Sequence, residues 1–92
     1  MISFLIHEKA DTVGVATVDI NQGEEAEGLY MDSQEPAKVK VLQDIPLGHK
    51  IAIKDHKMDE SVLKYGSDIG KVVAVIKIGE HVHVHNLKTR RW

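Results

Sequence analysis

Apolar and β-branched residues fall into eight short runs, each bounded by Gly, Pro, Asp or Asn: "SFLIH" (3–7), "TVGVATV" (12–18), "EEAEGLYM" (24–31), "KVKVL" (38–42), "HKIAIK" (49–54), "SVLKY" (61–65), "GKVVAVI" (70–76) and "EHVHVHN" (80–86). Alternation of apolar and polar positions is the period of a strand, whose successive side chains leave on opposite faces. Runs recurring about every ten residues predict an all-β sandwich or barrel. The longest loop, "DSQEPA" (32–37), reads as a hairpin tip. One helical alternative competes, "DESVLKYG" (59–66), with an acidic N-cap and a terminal Gly. It is too short to persist without packing.

The runs are joined by a weak repeat. A strand, an Asp and then a Gly leading to the next strand occur in "VATVDINQGEE" (15–25) and "VLQDIPLGHK" (41–50), and the theme returns in "IAIKDHKMDES" (51–61) and "VAVIKIGEH" (73–81). A Gly four residues after the Asp takes positive φ and reverses the chain, and Asp itself closes turns on nearby amides.

The last run changes the picture. His81, His83 and His85 alternate with Val82 and Val84, so the valines turn toward a core and one face is all imidazole. Same-face neighbours stand roughly 6.5–7 Å apart, so two of them reach one metal ion and the rest of the coordination sphere comes from elsewhere. Glu80, Asp55, His49 and His56 are the local donors. General acid–base work by one His and recognition of an anion are the other chemical readings. The bland alternative is a solvated strand face.

Composition narrows the classes. The 92 residues, with 12 Lys and Arg against 14 Asp and Glu, predict one domain over 1–92 with no field for non-specific nucleic-acid binding. There is no cysteine, so thiolate chemistry is excluded and a reducing, cytoplasmic setting is expected. "MISFLIHEKAD" lacks a basic flank and cleavage site, and no apolar stretch is long enough for a membrane-spanning helix. So small a domain has little room for a private cleft, which favours a surface that a partner completes.

Two further clusters carry polar chemistry. "PLGHK" sets His49 and Lys50 after a Gly turn, and "LKYGSDIG" sets Lys64 and Tyr65 before Gly66 and Gly70. Either alone is most simply a turn. With the His strand they make an anion-handling surface: Lys neutralises a carboxylate or sulfonate, Tyr donates a hydrogen bond and His moves protons. The basic end "NLKTRRW" (86–92) places Trp92 where an interface anchor would sit.

"DIPLGHKIAIKD", "VLKYGSDIGKVV" and "GEHVHVHNLKTRRW" together resemble the SAF domain of altronate and galactarate dehydratases, in order and with compatible spacing from Val13 to Trp92. The resemblance implies a β-clip, a long bent hairpin folded over on itself. It also implies a lyase that breaks a bond β to a carboxylate after the α-proton is abstracted, with a divalent metal, chiefly Fe²⁺. Carried onto this chain, it makes His49, Lys64 and Tyr65 the catalytic candidates, Lys50 and Asn86 the substrate-binding ones, and His81, His83 and His85 the metal ligands. Because the fused enzymes continue into a large catalytic region, a large catalytic subunit is the expected partner, with sulfolactate favoured over a sugar acid as substrate. A non-catalytic metal- or anion-binding module and a purely structural subunit are the alternatives. The turn "DHKMDE" departs from the pattern, with His56 in place of an aliphatic residue and Asp59 in place of Gly.

Overall fold

The computed structural model describes residues 1–56 and 75–82 in full and the backbone of 61–64, 67–72 and 87–88. Every regular element among them is a strand: β1 Ile2–Ile6, β2 Val13–Ala16, β3 Glu25–Tyr30, β4 Pro36–Lys40, β5 Lys50–Ala52, β6 Ser61–Lys64, β7 Ser67–Val72, β8 His81–Val82 and β9 Leu87–Lys88. One sheet has the order β4-β3-β1-β2-β5-β8 and a second the order β6-β7-β9. The strands curl into a half-barrel of the β-clip kind rather than a closed barrel. Segment 61–64 is a strand paired with β7, so the helical alternative over 59–66 is not taken up there.

The β3–β4 hairpin turns where the loop was expected. Tyr30 N–H donates to the Glu35 carbonyl (2.9 Å) and Gln34 N–H to the Tyr30 carbonyl (2.8 Å). Pro36 is already in register with Leu29. A proline lacks a donor, and it is tolerated here as the first residue of an edge strand. β7 begins at Ser67, earlier than the apolar run 70–76 suggests, because the antiparallel partner Lys64↔Ser67 recruits polar residues that periodicity alone passes over. Ile76 instead forms an isolated bridge with His56.

Alternation divides the larger sheet's two faces. Phe4, Ile6, Ala16 and Ile51 lie on one face and, with Ile20, Ile45, Ala26, Val39 and Val41, form the main core. Val13, Ala52 and Val82 lie on the other and close over Ile76 as a second, smaller cluster. Phe4, Ile6, Ile51 and Val82 are all fully buried, each stabilising by about 1.5–3 kcal/mol.

The sequence repeat is a structural pseudo-twofold. Ile20 and Ile45 exchange both backbone hydrogen bonds (2.9 and 2.8 Å). Asp19 Oδ1 accepts from Leu47 N–H, and Asp44 Oδ1 from Gln22 N–H, both at 2.8 Å. Each turn is thus capped by the other's aspartate. Gly23 and Gly48 follow at φ 92° and 84°. The arrangement recurs where His56 and Ile76 exchange backbone bonds (2.7 and 2.9 Å) and Asp55 Oδ1 accepts from Ile78 N–H at 2.8 Å. Here it is one-sided, because Val75 stands where the fourth aspartate would be. His56, noted in the sequence as a departure, occupies the isoleucine slot and is buried, 1% exposed.

Candidate functional site

Two of these Gly turns deliver histidines to one place. The turn 46–49 closes with His49 N–H donating to the Pro46 carbonyl, and the His49 carbonyl accepts from Ala16 N–H, both at 2.9 Å. Turn 77–80 closes with Glu80 N–H donating to the Lys77 carbonyl at 3.0 Å. β5 and β8 then run antiparallel with Ile51 opposite His81, so His49, two residues before Ile51 and on the same face, is the diagonal neighbour of His81. The result is a contact of 2.8 Å between His49 Nδ1 and His81 Nε2, with ring centroids 5.0 Å apart and planes tilted by 34°. Both imidazoles are half-buried.

A nitrogen-to-nitrogen contact of this length needs a proton on one side and a lone pair on the other. A neutral imidazole protonated on one nitrogen is bare on the other. The pair therefore holds two arrangements: His49 Nε2 bare with His81 Nδ1 protonated, or the reverse. Proton uptake at one outer nitrogen is matched by release at the other through the shared contact, which is the behaviour wanted of an acid–base relay.

A divalent metal is a second use for the same atoms. The donor types fit iron or zinc. Among the described residues, however, no group of three His, Cys, Asp or Glu side chains converges, so the pair makes two ligands of a sphere that needs more. Two of the expected local donors are engaged in turns: Glu80 Oε1 accepts from Lys77 N–H (2.6 Å) and Asp55 Oδ1 from Ile78 N–H (2.8 Å). His56 lies inside the fold.

Lys50 is next to His49 in sequence, but the register pairs it with Val82 and Val15, which puts it on the sheet face opposite that of Ile51 and His81. Val82 is buried in the smaller cluster, and His81 is half-buried on the opposite face, that of Ile51. His83, His85, Asn86 and Tyr65 lie outside the described residues, as does the C-terminal segment 89–92; Lys64 is described only as a backbone position of β6. Gln43 was not anticipated. Its Oε1 accepts from His81 N–H at 3.0 Å, and the neighbouring Leu42 N–H donates to the Gly79 carbonyl at 2.9 Å. Together they fasten the turn that presents His81. Nothing in a lone glutamine after an apolar run signals this, because its partner is 38 residues away.

Among the described residues no helix is long and apolar enough to cross a membrane. Residues 2–90 match the altronate/galactarate dehydratase SAF domain. The chain is 48% identical over 92 residues to (2R)-sulfolactate sulfo-lyase subunit alpha of Chromohalobacter salexigens, covering 99% of this chain and 98% of that one. Over 49 residues it is 55% identical to the subunit of the same name from Paracoccus pantotrophus, 53% of this chain and 73% of that one. Altronate dehydratase of Bacillus subtilis is 42% identical over 89 residues, which are 97% of this chain but 17% of that enzyme.

Proposed function

Since the chain belongs to the altronate/galactarate dehydratase SAF-domain family, we propose that it is the small subunit of a two-subunit hydroxy-acid lyase that eliminates sulfite from (2R)-3-sulfolactate. The observation that carries this reading is the end-to-end match to a free-standing lyase subunit, 98% of that relative's length. In altronate dehydratase the same segment is a sixth of one long chain.

The chemistry required is removal of the α-proton, departure of the β-sulfonate as sulfite with the C–S bonding electrons, and collapse of the resulting enol to the 2-oxo acid with return of the proton to carbon. A base that also holds the proton for later delivery is needed, and the His49–His81 pair has that property. In this reading His49 is the base that takes the proton, and the shift to His81 through the shared contact operates only while His81 carries no cation. Lys50, Lys64, Tyr65 and Asn86 are candidates for binding the carboxylate, hydroxyl and sulfonate.

A divalent cation, Fe²⁺ first, belongs to the proposal, with His81, His83 and His85 as the ligands and His49 placed beside them. When bound, it would polarise the carboxylate and α-hydroxyl and stabilise enediolate charge. A cytoplasmic location belongs to the same proposal, and a chain without cysteine is compatible with it.

The test is to express the chain with the polypeptide homologous to the rest of altronate dehydratase and to measure sulfite release from sulfolactate. The pair should turn over and the 92-residue chain alone should not. Water elimination from altronate with no sulfite release would move the chain to the dehydratase branch. Robust turnover by the single chain would refute the two-subunit reading.

A further inference from the structure

The segments that carry the imidazole pair also hold large apolar side chains that face solvent. Leu42 is 38% exposed, Leu47 61% and Ile78 43%. Leu47 lies two residues before His49 in the same turn. Ile78 lies in the turn that leads into His81. Leu42 is joined to that turn by its bond to the Gly79 carbonyl and adjoins Gln43, which holds His81. Each therefore occupies a turn or strand end that positions one of the two histidines.

Neither Leu47 nor Ile78 is needed to form its turn. Both turns are made by backbone hydrogen bonds, by the aspartate caps on the Leu47 and Ile78 amides and by the following glycines. At the corresponding place in the first turn stands Gln22, a polar residue. Leucine and isoleucine at exposed turn positions are thus an addition the fold does not require. Scattered exposed apolar residues are ordinary. These three coincide with the only pair of interacting imidazole rings among the described residues.

Resting on the two-subunit reading, we infer that the face formed by Leu42, Leu47 and Ile78 around His49 and His81 is where the large subunit docks. The occupant is named by the relatives: altronate dehydratase carries this domain in the same chain as a body about five times its length, while subunit alpha is a separate chain of the same extent as this one. In both, the body has to reach the imidazoles for them to act on its substrate. The partner surface has an apolar rim that covers the three side chains and a polar centre that faces the histidines. The reaction site lies at the seam, closed to water by docking itself.

The experiment uses the full chain and the polypeptide homologous to the non-SAF part of altronate dehydratase, with affinity measured by calorimetry or sedimentation. Leu47→Asp, Leu47→Lys and Ile78→Asp should each weaken association about thirtyfold or more, because docking would then bury an unpaired charge against an apolar surface. The two opposite charges at Leu47 should act alike if apolar burial is the cause. Met31→Asp, at an exposed position of the β3–β4 tip (47% exposed), should stay within about twofold of the unaltered chain. Melting temperatures report that the variants fold. Unchanged affinity for the Leu47 and Ile78 variants, or an equal loss for Met31→Asp, overturns the docking face. If those variants bind normally while sulfite is released, the face is wrong and the lyase reading stands. If they weaken binding but the unaltered pair releases no sulfite, the face stands and the lyase reading falls.

Discussion

Replacing Gly79 with alanine adds one methyl group at the turn that brings His81 to His49. At φ 90° an alanine lies in the left-handed region, which costs about 1–2 kcal/mol. The new Cβ also runs into the Lys40 carbonyl oxygen and stands 3.3 Å from the Leu42 nitrogen. Backbone atoms cannot rotate aside, so the turn must retreat. That stretches the Leu42 N–H to Gly79 carbonyl bond (2.9 Å) and the Gly79 N–H to Ala52 carbonyl bond (2.8 Å), each worth about 1 kcal/mol. The sum, about 3–4 kcal/mol, is a large part of the roughly 5–14 kcal/mol expected for a domain of this size. At about 4–8 °C per kcal/mol, the melting temperature should fall by about 12–30 °C. Gly23 and Gly48 provide matched controls, because their φ values are 92° and 84° and nothing lies within 4 Å of a Cβ at either. Their alanine variants carry the conformational cost alone, about 1–2 kcal/mol. Far-UV circular dichroism melts of the three variants test the difference. A Gly79→Ala curve within a few degrees of the other two would refute the steric argument.

Asp19→Ala and Asp44→Ala each remove one cap of the pseudo-twofold and should cost similar amounts, about 1 kcal/mol in urea unfolding; a difference well above that would show the two turns are not equivalent. His49→Ala in the assembled enzyme should lower kcat by about 10²–10⁴ with little change in melting temperature, and an unchanged rate of sulfite release would remove His49 from the chemistry. Gln43→Ala should lower kcat by less than about a hundredfold and Gln43→Glu, which keeps the acceptor, should restore it; equal rates for both variants would leave Gln43 no positioning role. Anaerobic calorimetry with Fe²⁺ should show weaker binding to the complex for His81→Ala and for His83→Ala, and equal affinity would exclude that residue as a ligand.

Much of the fold was legible because it is written locally. Most strands announce themselves by alternation, though the polar start of β7 and the whole of β9 do not, and the Asp-Ile-x-x-Gly stretches at 19–23 and 44–48 announce two turns that prove to be symmetry mates. The burial of Val82 and the opposite direction of His81 follow from the pleat alone. What could not be read is set by register across the sheet. His49 and His81 are 32 residues apart and meet because Ile51 pairs with His81. The same register sends Lys50 to the opposite face from its expected companions. Gln43 escaped for the same reason, since its role is a single long-range bond to a backbone amide. The proposed fourth repeat was visible only as a theme, because its aspartate is replaced by Val75 and its partner isoleucine by His56.

The position of β1 governs how the chain can be assembled and handled. It pairs with β2 on one side and, in parallel, with β3 on the other, so the strand made earliest is the middle of the larger sheet. During synthesis it gains an antiparallel neighbour once residue 16 has emerged, and waits for residue 30 before its second edge is covered. Removing residues 2–6 would split the sheet into β4-β3 and β2-β5-β8 and take Phe4 and Ile6 from the main core. A protein fused before Met1 would hang from the centre of the sheet, whereas an insertion at the 31–35 hairpin tip would disturb only its edge.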